Sequence, residues 1–119
     1  MGGQAQSAAL AIAAGRIVVG ASLCAAPSLA AHWAGKDARG PGVGMIVRAL
    51  GARDAALGVG TLASARDPAQ LRRWLLASSA CDAADFAATL AGPRSPARTF
   101  VLASAAAATV AGLAAAGAV

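Results

Sequence analysis

The chain has 119 residues, enough for one domain, with 58% hydrophobic and 13% charged residues. A soluble domain carries about a quarter charged residues, so the polar coat that water demands is missing here. The formal charge is +5 and the isoelectric point near 11.1. The basic residues nevertheless fall in short clusters between apolar runs, with no basic stripe or aromatic stacking platform, so nucleic acid is excluded as a partner.

The apolar content is dominated by alanine. Glu, Asn and Tyr are absent, and nine arginines stand against one lysine, the coding bias of a GC-rich bacterial genome. The first apolar run covers about residues 5–31 and holds one charge, Arg16. Pro27 predicts that the helix ends near Ala26 or kinks there, because proline lacks the amide that a helix interior needs. No basic residue precedes the run between Met1 and Ser7, so it reads as a retained span rather than a signal peptide. His32 and Trp33 then supply an interfacial ring, and Gly35 to Gly42 is turn-rich.

The second run is about residues 43–63. Gly44, Gly51 and Gly58 recur every seven residues on one helix face and, with Ala55, make a groove shallow enough for another backbone to approach. A helix start follows: Asp67 can cap, Pro68 suits the first helical position and Gln70 can complete a capping box. The third run, about residues 71–91, has Arg72, Arg73 and Trp74 at its entrance. Ser95-Pro96 repeats the cap-then-proline pattern ahead of the fourth run, residues 97–119.

Each run reaches the ~20 residues needed to cross ~30 Å of hydrocarbon. Short connections make neighbours antiparallel. The predicted fold is therefore all-α: a single-domain, four-helix transmembrane bundle in up-down order, multi-pass in a bacterial inner membrane. Lys36, Arg39, Arg94 and Arg98 in loops one and three slightly outnumber Arg66, Arg72 and Arg73 in loop two. The positive-inside rule thus leans toward a cytoplasmic first and third loop.

Six ionisable residues fall inside the spans: Arg16, Arg48, Arg53, Asp54, Asp82 and Asp85. Their formal charges cancel, which leaves the whole net charge to loops and helix ends. Each costs roughly 2.5–3.5 kcal/mol at mid-span, so pairing is expected. Depth counted from the middle of each run predicts pairs Arg48–Asp85, Arg53–Asp82 and Arg16–Asp54, one cluster joining the first three helices. Asp82 and Asp85, three apart, share a helix face. The fourth helix carries no such residue and reads as a packing wall or a partner-binding face.

Arg16-Ile-Val-Val-Gly20, Pro27, Trp33-Ala-Gly35, the stretch Arg48-Ala-Leu-Gly51-Ala-Arg53-Asp54-Ala-Ala-Leu-Gly58 and Cys81-Asp82-Ala-Ala-Asp85 stand in a familiar order. They resemble an uncharacterised family of small four-span bacterial membrane proteins akin to the DoxX-like group, over about residues 8–91. The resemblance implies a four-helix membrane fold with no established reaction. Links of some DoxX-like relatives to quinone-dependent redox complexes enter only by analogy.

No enzyme chemistry is legible. Haem ligation between helices commonly uses paired histidines, and His32 is the sole one. Zinc needs three or four ligands, which Cys24, Cys81 and His32 at different depths do not supply. The two cysteines read as small buried hydrophobes rather than a disulfide. Ser78, Ser79 and Ser104 lack a nearby base, and Gly58-Val-Gly60 lies in an apolar helix, not a phosphate loop. Small multidrug transporters depend on an acidic residue in the first helix, where this chain has Arg16. No metal or cofactor is expected, and the expected partners are membrane lipid and another membrane protein or further copies of the chain.

The leading expectation is a non-enzymatic accessory or structural subunit, or a homo-oligomer, held by the Arg/Asp cluster. The alternative is a small binding or transport module taking a lipid head group, a quinone or a proton at the Arg53/Asp82 region. A soluble alanine-rich helical protein is the third reading, since the mean hydropathy of +0.63 is modest for a membrane protein.

Overall fold

The computed structural model describes residues 2–35 and 39–119. Met1 lies outside them, as do Lys36, Asp37 and Ala38 of the first loop. The described residues are helical or irregular, with four long helices: α1 (Gly3–Ala25), α3 (Pro41–Ala63), α4 (Pro68–Ala91) and α5 (Arg98–Ala118). A one-turn helix, α2 (Ala31–Ala34), precedes α3. At ~1.5 Å per residue the long helices measure about 32–36 Å.

Proline and glycine punctuate the chain. The Ala26 amide makes the last α1 bond, to Ser22 O at 2.8 Å, and Pro27 then opens a 3₁₀ turn over Pro27–Ala30. The first apolar run is therefore not one helix to Ala31. The residue before a proline avoids the helical region, and Ala26 lies at φ −134°. Gly35 ends α2 at φ +83°, a conformation that side chains disfavour.

Asp67 caps α4, its Oδ1 accepting from Gln70 N–H at 3.1 Å, with Pro68 at the first position. The reciprocal half of the capping box is not made, because the Asp67 amide donates to Ser64 O at 2.9 Å. Ser95 does not cap α5. The helix starts at Arg98, whose amide donates to Ser95 O at 3.1 Å, and no side chain caps it. Arg98 itself closes the other side of this corner. Its Nη2 donates to Leu90 O at 2.8 Å and its Nε to Thr89 O at 3.3 Å, partnering carbonyls that the end of α4 leaves open.

The closest pairing is α1 against α3, and small residues set it. A Cβ on Gly51 would stand 2.6 Å from Gly20 O, and one on Gly58 2.6 Å from Ala13 O. Gly20, which the glycine pattern had not singled out, meets Gly51 and Ala55 from the other side. Gly44 has only Pro27 Cγ nearby, at 3.9 Å, so two of the three heptad glycines carry the close approach. Gln6 Nε2 donates to Ala65 O at 2.9 Å, and Cys24 Sγ to Arg48 O at 3.4 Å, so the pair runs antiparallel. Both cysteines are free and half-buried rather than buried.

The second pair is α4 against α5, again antiparallel, with Gly112 facing the Ser79 hydroxyl. Ala9 of α1 joins Leu71 and Leu75 of α4 and Ala115 and Ala116 of α5 in one core. At the opposite end Trp33 stacks on Phe100, centroids 5.6 Å apart. Trp74 lies across Gly60, tying the start of α4 to the end of α3.

Of the four, α1 and α5 are long and apolar enough to cross a membrane. Both α3 and α4 have the length, but Arg48, Arg53 and Asp54 load the first, and Arg72, Arg73, Asp82 and Asp85 the second.

Backbone carbonyls cannot yield to a new side chain as a rotamer can. Gly51→Val is expected to destabilise the protein by about 3 kcal/mol, while Gly44→Ala stays near neutral. Thermal unfolding of both variants in mild detergent checks this, and equal melting temperatures would refute the α1–α3 contact.

Candidate functional site: an alternating Asp/Arg chain

Five charged side chains from three helices meet at mid-height. Arg16 of α1 donates from Nη1 to Asp54 Oδ1 of α3 at 3.0 Å, and its Nη2 bonds Asp82 Oδ2 of α4. Arg53 of α3 forks onto Asp85 of α4, with Nη1 to Oδ1 at 2.9 Å and Nη2 to Oδ2 at 2.7 Å. Arg53 Nη2 also reaches Asp54 Oδ1 at 3.5 Å. The groups form one line: Asp82, Arg16, Asp54, Arg53, Asp85.

The line runs from interior to surface. The Asp82 and Arg16 side chains are 9% and 10% exposed, Arg53 and Asp85 32% and 35%. Bidentate guanidinium–carboxylate pairing gives the outer end directional strength. The inner end is the costlier part, because a charge away from water has only its partners to stabilise it.

Of the six charges expected inside the spans, the structure brings five together and leaves Arg48 out. Arg48 is exposed, and among the described residues it makes no ion pair. Only Arg16–Asp54 of the three expected pairs forms. Arg53 takes Asp85, Asp82 goes to Arg16, and the Arg48–Asp85 and Arg53–Asp82 pairs do not form. Two geometric reasons account for this. Five helical positions separate Arg48 from Arg53, a turn of about 140°, so both cannot face α4. And α3 runs antiparallel to α4, so Arg53, which precedes Asp54, meets Asp85, which follows Asp82.

The balance of charge changes with it. Two guanidiniums face three carboxylates, so the chain of groups is formally −1, not neutral. Ser78 and Ser79 on α4 are buried nearby in sequence, and neither hydroxyl has a partner among the described residues. Nothing in their apolar setting had marked them beyond excluding hydrolase chemistry. Among the described residues no three His, Cys or Asp side chains converge as a metal-ligand set.

No known family matches the chain, and neither a curated protein nor a solved structure is significantly similar to it.

Because Arg16 serves two carboxylates, Arg16→Gln is expected to cost about 3–5 kcal/mol, the range for breaking a buried pair. Exposed Arg48→Gln should stay within about 0.5 kcal/mol. Denaturant unfolding of the two variants side by side reads the difference. Similar losses in both would contradict the geometry described.

Proposed function

We propose that the chain crosses the bilayer with all four long helices and acts, without chemistry of its own, as a structural or accessory membrane subunit, alone in a homo-oligomer or beside another membrane protein. The distribution of side chains carries the reading. Large apolar residues point outward on every long helix: Val18 on α1, Met45 and Ile46 on α3, Leu76 and Leu90 on α4, Val110 and Leu113 on α5. The interior holds Val47, Leu57, Leu71 and Leu75 together with many Ala and Gly residues, Ser, Thr and the inner end of the Asp/Arg chain. Large apolar side chains exposed on every long helix, over an interior that holds ion pairs, suit lipid better than water.

The same observation bears on α1 and α5. Only 17% and 22% of their apolar windows are buried within the chain, too little for core helices of a soluble fold. The paired charges on α3 and α4 support spans there as well, because each carboxylate in the line has a guanidinium partner. Small-residue faces and short connections leave little of the chain outside the bilayer for any other role.

On this reading the protein stays in the pellet when membranes are washed with alkaline carbonate, and runs in mild detergent as a multimer or with a second membrane protein. Release into the supernatant would remove the proposal. A strictly monomeric particle without companions would remove its subunit part.

The formal −1 of the Asp/Arg line favours a second reading, a site that takes a proton rather than an anionic head group. Arginine does not give up its proton, so the line could hold one on a carboxylate but not relay it through the guanidiniums. Asp82→Asn makes the line formally neutral. Infrared spectra followed through a pH titration should show a protonated-carboxyl band in the wild-type protein that Asp82→Asn removes. Identical spectra for the two proteins would leave the line a packing device.

A further inference from the structure

Where α1 breaks at Pro27, a cavity of about 460 Å³ opens between the 3₁₀ turn and the beginning of α3. Ser28, Arg39, Pro41, Gly44, Met45 and Arg48 line it. Arg39 and Arg48 are both exposed, and among the described residues neither has a carboxylate within ion-pair distance. Two guanidiniums facing one cleft repel each other, and an anion between them removes that repulsion. No acidic residue occupies the first turn of α3, so that helix end adds to the positive field instead of cancelling it.

The walls add a second requirement. Met45 is 73% exposed at the cleft, and Pro27 and Pro41 add apolar surface to its wall. An anion here therefore sits against an apolar surface. Arg48 lies about 10 Å along α3 from Pro41, a depth from which its long stem can carry the charge back toward the helix end. Guanidinium forks match phosphate oxygens, and basic pockets at the ends of membrane helices hold anionic head groups. The volume falls within the range of small-molecule sites.

We infer that the Arg39/Arg48 cleft binds a phosphate group, supplied by the head group of an anionic phospholipid whose chains leave the cleft along Met45. The lipid source rests on the four-span reading; the phosphate chemistry does not. The site is separate from the Asp/Arg line, whose charge is opposite.

The test uses the full chain in nanodiscs of phosphatidylcholine alone and of phosphatidylcholine mixed with phosphatidylglycerol, with retained lipid counted by native mass spectrometry. The wild-type protein should retain phosphatidylglycerol in preference to phosphatidylcholine. Arg48→Gln should weaken that preference roughly fivefold, and Arg39→Gln with Arg48→Gln roughly thirtyfold. Arg48→Lys, which keeps the charge but not the fork, should fall between wild type and Arg48→Gln. Circular dichroism checks that each variant folds, and if the double variant does not, Arg48→Gln against Arg48→Lys carries the comparison. Equal retention of the two lipids by the wild type, or no change in the variants, would overturn the inference of a lipid head group. A titration with inorganic phosphate in detergent separates the sources. Free phosphate that binds the wild type but not the double variant, without lipid preference, assigns the site to soluble phosphate. A chain that stays out of the nanodisc refutes the four-span reading instead, and the phosphate titration then decides alone: binding lost in the double variant upholds the cleft, and absence of binding overturns it.

Discussion

Among the described residues, Arg16 is the one side chain that bonds to both of the other charged helices. Its guanidinium holds Asp54 of α3 with one nitrogen and Asp82 of α4 with the other, so three elements share a single planar group. That geometry is open to it only because α1 and α3 lie almost backbone to backbone at Gly20, Gly51 and Gly58. The dependence also runs the other way. Slipping α1 along α3 by one heptad would keep small residues in register but carry Asp54 about 10 Å from Arg16. The glycines permit the approach, and the ion pair selects one register among those the glycines permit. Buried ion pairs contribute little net stability against a well-packed apolar alternative, and choosing a register is the role for which they are best attested.

The charges of the line on α3 and α4, together with Arg48, Arg72 and Arg73, explain why α1 and α5 are apolar enough to cross a membrane and α3 and α4 are not. On the proposed four-span reading, Asp82 and Asp85 together burden α4 with about 5–7 kcal/mol at mid-span on an insertion scale. Their partners, Arg16 and Arg53, sit on the two helices made before it. On that reading a nascent α4 meets its countercharges already in place, whereas α5, which carries none of the line, needs only its apolar surface. Arg98 then fixes where α5 turns back, by bonding the last carbonyls of α4. A residue that reads as a topology signal by its position in the loop is also a helix cap.

Helix ends were legible because proline, glycine and Asp67 act within a few residues of themselves, and local rules suffice for them. The close α1–α3 face was half legible: the heptad glycines of α3 were visible, but Gly20 stands alone in α1 and acquires meaning only opposite Gly51. Pairing within the charged line was the least legible part. Depth can be counted along a helix, yet two groups at one depth meet only if both helices are turned to face each other, and no single sequence gives that rotation. Extending the first run past Pro27 to Ala31 also moved its counted midpoint from the neighbourhood of Ala14 to that of Val18, an error of about 6 Å.

Arg48 is where rotation matters most. Turned inward, it would have balanced the interior at zero; turned outward, it leaves two guanidiniums against three carboxylates and places a further positive charge beside Arg39. One azimuth thus separates charge of opposite sign into two regions, an inner line that is formally negative and a cleft that is positive at the helix ends. The proton and the anionic phosphate proposed above are then not rival occupants of one site. Each suits a different place, and the side chain that divides them is itself bound to none of the three carboxylates.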